Sequence, residues 1–242
     1  MANVGDNIDS KRGNWRFDGD VPKSFDEHVS KSVPLYNEGH DLIFDISDFF
    51  INNDSIAYEF GCSTGTLSLK LAEHNKEKGG AHFIGIDIEP EMIEIAEKKK
   101  QTNADLKDLN VTFLVDDILQ MELEPADMII CYYTNQFIRS SVRQKLINRI
   151  YESLNWGGAL LLFEKVRGAD GRFQDILTAL YTDYKIRRGF TAESIVAKSR
   201  SLKGVLEPFS TQGNIDMLKR AGFSDINTVQ KFICFEGFIA IK

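Results

Sequence analysis

Glu59-Phe60-Gly61-Cys62-Ser63-Thr64-Gly65 decides how this chain reads. An apolar run, Ser55-Ile56-Ala57-Tyr58, leads into it, and the helical pattern Thr66-Leu67-Ser68-Leu69-Lys70-Leu71-Ala72 leads out. An acidic residue followed by two glycines four positions apart makes a strand-to-helix turn that a nucleoside can approach closely. A Cβ at those positions would block both the sharp turn and the contact between ligand and backbone. Many tight turns carry two glycines, so the next strand matters. Ala81-His82-Phe83-Ile84-Gly85-Ile86 ends in Asp87, and a carboxylate at that strand tip is placed to accept hydrogen bonds from both hydroxyls of a ribose.

Outward from this turn the pattern alternates. Strands are expected near 56–60, 82–87, 111–115, 127–132 and 158–164, with helices at 65–75, 90–101 and 140–154 between them. Strands and helices of these lengths build parallel β-α-β units. Residues 170–207 then read as helices rich in Arg, Lys and Tyr, an insertion or lid. A helix over 212–221 and strands near 225–233 and 235–241 close the chain. The last two strands have almost no connector, so they must run antiparallel. The expectation is an α/β fold: a doubly wound, mostly parallel seven-stranded sheet whose last strand is antiparallel. Residues 1–50 form an N-terminal arm and two covering helices broken near Pro34, and residues 51–242 the nucleoside-binding domain. Residues 1–14 read as mobile, and Trp15, Phe17 and Phe25 as aromatics docking the arm on the body.

Composition narrows the function. The 242 residues carry a formal net charge of −7, which argues against a broad nucleic-acid-binding face. No stretch reaches the apolar length of a membrane span, and the first residues lack a signal-peptide pattern. Cys62, Cys131 and Cys234 are odd in number and suit neither a disulfide framework nor a zinc site. His28, His40, His74 and His82 lack metal-ligand spacing, so no metal is expected. A cytoplasmic protein is the plain expectation.

The order of features resembles the class I methyltransferases that use S-adenosyl-L-methionine (SAM): Glu59-x-Gly61-x-x-x-Gly65, Asp87, Asp116-Asp117-Ile118 and Leu154-Asn155-Trp156-Gly157-Gly158. Within that superfamily the chain is similar to the carboxy-SAM synthases, formerly described as tRNA wobble-uridine methyltransferases. The likeness runs from about Trp15 to the C-terminus. It rests on Trp15-x-Phe17-Asp18, Ser32-Val33-Pro34-x-Tyr36, Gly61-Cys62-Ser63, Glu91-Met92-Ile93-Glu94, Thr134-x-Gln136-Phe137, Gly157-Gly158-Ala159-Leu160 and Glu164-Lys165. The resemblance implies SAM as cofactor and Tyr36, Gly61, Cys62, Ser63, Asp87, Asp117 and Ile118 as its contacts. Glu59, Gly65, Ile88 and Tyr132 complete that candidate set. It also implies capture of a carboxyl group from prephenate, yielding carboxy-SAM for a partner enzyme acting on tRNA. A homodimer is implied too, with 170–207 reaching toward the neighbouring subunit.

Two positions depart from the family. Tyr132 stands where the family has asparagine. The arginine that holds the added carboxylate, part of a Lys-Arg-Ser sequence, is replaced in Lys198-Ser199-Arg200-Ser201, leaving Ser199 in place and Arg200 one residue on. On a helix that shift turns a side chain by about 100°. The chemistry is weighed accordingly. Asp87 reads as the ribose acceptor or a solvated strand-end carboxylate. Asp117 reads as the adenine partner, with Ile118 on the ring face, or as a simple turn residue. Cys62 is a small turn residue rather than a nucleophile, since no activating base adjoins it. Tyr132, Tyr133 and Arg200 are the catalytic candidates, with Arg188, Ser199 and Arg200 for an anionic substrate. Arg187, Arg188, Lys198, Arg200 and Lys203 form a basic concentration that suits a carboxylate clamp or a solvated helix face. The altered arginine turns the first expectation toward methyl transfer to a small anionic acceptor. The alternatives are carboxy-SAM synthesis and a non-catalytic SAM-binding partner protein. The glycine spacing lacks the dinucleotide fingerprint, which places an NAD-dependent dehydrogenase last.

Overall fold

Strand alternation divides the hydrophobic side chains between two faces of one sheet. In the computed structural model, which describes residues 2, 3, 9, 10, 13, 17 and 21–242, the elements from Val21 onward run in the expected order, preceded by two short strands within the stretch expected to be mobile. β1 (Ala2–Asn3) and β2 (Asp9–Ser10) pair antiparallel. Helices α1 (Val21–Ser32) and α2 (Tyr36–Ser47) follow. Then come β3 (Ile56–Phe60), α3 (Thr66–His74), β4 (His82–Asp87), α4 (Pro90–Thr102), β5 (Val111–Val115), β6 (Ala126–Tyr132), α5 (Ser140–Ser153) and β7 (Leu154–Lys165). Helices α6 (Gly171–Arg187), α7 (Ala192–Ser201) and α8 (Thr211–Ala221) lead to β8 (Asp225–Phe232) and β9 (Phe235–Ile241).

The main sheet has the order β5-β4-β3-β6-β7-β9-β8. Its first five strands are parallel, and β9 lies antiparallel between β7 and β8. Because helices cover both faces, the central strands are continuously apolar. Ala57, Met128, Ile130, Leu161 and Phe163 face Ile43, Leu67, Leu71, Ile93 and Ala96 of α2, α3 and α4. Tyr58, Phe60, Ile129, Leu160 and Leu162 face Leu146, Ile147, Ile150, Met217 and Leu218 of α5 and α8. The strand order reverses between β3 and β6. Ligands of open α/β sheets bind at such a switch point, outside the carboxyl ends of the strands.

The break between α1 and α2 falls at Pro34-Leu35, with Leu35 in the left-handed region at φ 56°. β7 is longer than the expected 158–164. Leu154 pairs with Ala126 before the register shifts and Ala159 pairs with Met128, because Gly157 turns at φ 80°. The 170–207 segment is helical: Asp170 caps α6 by accepting from Phe173 N at 3.0 Å, and Thr191 caps α7 by accepting from Ser194 N at 3.1 Å. Phe17 packs its ring 4.9 Å from Phe137 and 6.3 Å from Phe25. Trp15, Asp18 and most of the stretch expected to be mobile lie outside the described residues. Among the described residues no helix is long and apolar enough to cross a membrane.

Candidate functional site

The Gly61 turn is fastened to β4 by its own backbone. Gly61 N and Cys62 N both donate to Ile86 O, at 2.8 and 2.9 Å, and Gly65 N donates to Cys62 O at 2.9 Å. Gly61 has φ 71°, and a Cβ there would run into the side chain of Thr134. Ser63 is held at φ 49° and donates its N–H to Asp87 Oδ2 at 2.8 Å, while Glu89 N donates to Oδ1 at 3.0 Å. Strand tip and glycine turn are thus one hydrogen-bonded unit. Gly65, expected to meet the cofactor, instead packs: a Cβ on it would meet Phe113 and Ala96, and it does not line the cavity.

That cavity, about 790 Å³, opens at the carboxyl ends of β3, β4, β6 and β7 and is roofed by α1, α2, α6 and α7. One side is acidic. Glu59 is buried on β3, and Ser68 Oγ donates to its carboxylate in a short bond. Burial pushes its carboxyl up to about 8, and the charge of Asp87 adds to the rise. Burial also raises Asp87, against the N–H groups of Glu89 and Ser63 that favour its charged form. Asp117 lines the cavity too, yet its carboxylate also shapes the turn after β5, accepting from Leu119 N at 2.9 Å and Gln120 Nε2 at 2.8 Å. Ile118 is buried beside it, whereas Ile88 is 65% exposed. Sequence reasoning missed Asp26, which accepts from Thr64 Oγ1 at 2.7 Å and pairs with Lys99 at 2.5 Å, tying α1 across the glycine turn to α4.

Aromatic rings form the middle wall. Tyr36 lies 5.0 Å from Tyr132 and 6.3 Å from Tyr133, ring to ring, and Tyr132 Oη donates to Tyr36 O at 2.5 Å. His40 sits 4.9 Å from Tyr132, and burial lowers its imidazole to about 4, so it is neutral at pH 7. Tyr133 has φ 62°, and its buried hydroxyl has no hydrogen-bond partner among the described residues. Backbone strain of this kind in a bulky residue persists only where surrounding structure holds it. Burial drives the thiol of Cys62 well above its ordinary value, as the turn-residue reading expects of an unactivated thiol.

The other side is basic. Lys165, Arg167, Lys185, Lys198, Ser199 and Lys203 line it. Arg188 and Arg200, both candidates for an anionic substrate, do not. Arg188 lies over the ring of Tyr184, 5.3 Å from its centroid. Arg200 is exposed, and its carbonyl accepts from Gly13 N at 3.0 Å; the one-residue offset turns it off the face that carries Ser199. Of the basic concentration read from sequence, Lys198 and Lys203 face the cavity, whereas Lys165, Arg167 and Lys185 were not singled out for a role. Lys165 was legible as a lysine ending an apolar strand at the ligand edge of the sheet, but nothing in the sequence marked Lys185 before α6 was laid over the site. Behind them, buried Glu164 is pushed up to about 8 by burial, with Arg143 acting in the opposite sense.

Residues 51–222 match a family described as "Methyltransferase domain". A carboxy-S-adenosyl-L-methionine synthase of Staphylococcus epidermidis is 36% identical over 94% of this chain and 97% of its own. Another from Nautilia profundicola is 36% identical over 94% of each chain, and one from Campylobacter jejuni 32% over 96% of each. Among solved structures, a magnesium protoporphyrin IX methyltransferase of Synechocystis with bound SAM superposes with a TM-score of 0.60 at 16% identity, covering 88% of this chain and 83% of that one. Human N-acetylserotonin methyltransferase in complex with SAM gives a TM-score of 0.60 at 17% identity, covering 92% of this chain and 55% of its own. These two share the fold.

Proposed function

Because the chain belongs to the methyltransferase-domain family, and within it to the family of the carboxy-SAM synthases, we propose that it binds SAM and joins a carboxyl group from prephenate to the SAM methyl carbon. The observation that carries this reading is the division of one cavity into an acidic and a basic half. Asp87 ends β4 and Lys165 ends β7, three strand positions away, roughly 14 Å at the usual spacing. SAM is cationic at sulfur, and the buried Glu59, with no cationic partner among the described residues, fits a cationic ligand. Asp87 accepts from the ribose, Ile118 lies on the adenine face with Asp117 at its edge, and the Gly61-Cys62-Ser63 backbone approaches the methionine portion. Tyr36 and Tyr132 close the cavity over the sulfur.

The sulfonium makes the neighbouring methyl hydrogens acidic. The carboxyl group leaves prephenate as its ring hydroxyl departs, the ring becomes aromatic as phenylpyruvate, and the methyl proton ends on that hydroxide as water. Lysines at the basic end hold the dianion so that its carboxylate faces the methyl group, a positioning role that needs no side-chain nucleophile. The product serves a partner enzyme modifying the tRNA wobble uridine. The exposed Phe173, Ile176 and Leu180 on α6 support a homodimer.

The sequence first pointed to methyl transfer because the carboxylate arginine is displaced. Relatives matching over nearly the whole chain and a cavity rich in lysine favour the carboxy-SAM reading instead. Denaturing freshly purified protein and weighing the released nucleoside tests it. Carboxy-SAM is expected; SAM or S-adenosylhomocysteine alone, after growth with prephenate available, would favour methyl transfer.

A further inference from the structure

The basic end of the cavity contains a pair of cations that no hydrogen bond or carboxylate satisfies among the described residues. Lys165 Nζ lies 4.7 Å and Lys185 Nζ 4.4 Å from the centroid of the same ring, that of Tyr181. Both side chains are half-buried and line the cavity, and among the described residues neither ammonium has a salt-bridge partner. Tyr181 is itself fixed, its hydroxyl donating to Ser32 O at 2.9 Å. Its ring is 5.1 Å from Phe235, which is 5.8 Å from Tyr133, whose buried hydroxyl has no partner among the described residues. Two like charges gathered on one ring repel each other, and an idle hydroxyl lies one ring away. An anion that accepts from these groups removes the cost of both charges at once.

We infer that Lys165 and Lys185, held by Tyr181, are the seat of a carboxylate of the organic-acid co-substrate, and that they take over the work of the displaced arginine in binding that acid. The inference rests on the proposed use of a carboxylic acid beside SAM. Burial lowers both ammonium groups, Lys185 to about 8 with Lys165 adding to its fall, as expected of cations awaiting a counter-charge. Arg188, expected from sequence to serve here, stacks on Tyr184 outside the cavity and serves as the control.

The test is isothermal titration of prephenate into SAM-loaded protein, for the wild type, Lys165→Met, Lys185→Met, Lys185→Arg and Arg188→Met. The expected result is prephenate binding weakened about tenfold or more by each methionine at a lysine position, since each deletes a charge-assisted contact. Lys185→Arg should regain part of that loss, and Arg188→Met should match the wild type. SAM affinity, titrated in parallel, should stay within about twofold throughout, which certifies that each variant is folded. Lysine variants that bind prephenate as the wild type does would overturn the inference, as would a wild type that does not bind it. Should Lys165→Met fail to bind SAM, the Lys185 pair decides: equal loss in Lys185→Arg and Lys185→Met would equally overturn it. Failure of the carboxy-SAM reading looks different: prephenate binds in a lysine-dependent way, yet no phenylpyruvate is released.

Discussion

Gly39 and Tyr132 fit only as a pair: a Cβ on Gly39 would stand well inside 3.0 Å of the Tyr132 hydroxyl. That hydroxyl donates to Tyr36 O, so the tyrosine at the end of β6 ties the covering helix α2 to the sheet beside the cavity. The position where the family has asparagine is therefore filled by a larger side chain whose space comes from a glycine on the facing helix. We predict that Gly39→Ala costs about 1–3 kcal/mol in chemical denaturation, the usual cost of overpacking. Tyr132→Phe should recover part of it, because the nearest ring carbons leave a tight but tolerable contact. Additive losses in the double mutant would contradict the pairing.

Gly61→Ala faces two obstacles, a left-handed φ of 71° and the side chain of Thr134. It should weaken SAM binding about tenfold or more, read by titration, whereas Gly65→Ala should act chiefly on stability through Phe113 and Ala96. Equal SAM affinity in wild type and Gly61→Ala would show that the turn does not approach the ligand.

Glu59 gives a pH signature. Its carboxyl sits near 8 in the free protein, so it is largely protonated at neutral pH and must lose that proton to pair with a cationic ligand. SAM affinity should therefore rise as pH increases toward about 8 and level off above it, with proton release on binding near pH 7. The ligand's own ammonium titrates nearby, so Glu59→Gln is the reference: it should bind more weakly at pH 8.5 and release fewer protons. Calorimetry in buffers of different ionisation enthalpy measures this directly.

Buried Glu164 reports on stability with the same sign. Its folded-state value near 8 lies above that of an unfolded glutamate, so the neutral form is the one the fold favours. The stability it confers is complete below about pH 4.5 and is lost as pH rises through about 8. Between pH 5 and 9 the wild type should lose stability by roughly 1–3 kcal/mol. Glu164→Gln should lose less, and identical pH profiles in urea denaturation would refute that assignment.

Much of the fold was legible because its signals are local. The Gly61 turn, Asp87 at a strand end, and the two-residue connector Ile233-Cys234 each fix a feature by backbone chemistry alone. The acidic half of the cavity follows from strand order, so Glu59, Asp87 and Asp117 fall together as soon as β3, β4 and β5 are neighbours. The basic half was legible only in part, through Lys198, Ser199 and Lys203, because the rest depends on how α6 and α7 lie over the sheet. Arg188 and Arg200 attracted attention as arginines in a basic run, but Arg188 lies past the end of α6 over the ring of Tyr184, and the one-residue offset turns Arg200 away from the face of Ser199, while Ser199 and Lys185 line the cavity. Gly65 belongs to the same motif but packs against Phe113 and does not line the cavity, a placement set by a strand and a helix distant in sequence.

The most direct test is turnover of purified protein with SAM and prephenate alone, following nucleoside mass and phenylpyruvate together. The account predicts carboxy-SAM and phenylpyruvate in equal amounts, with no S-adenosylhomocysteine. Unchanged SAM beside intact prephenate, or S-adenosylhomocysteine formed with a methylated acceptor, would contradict it.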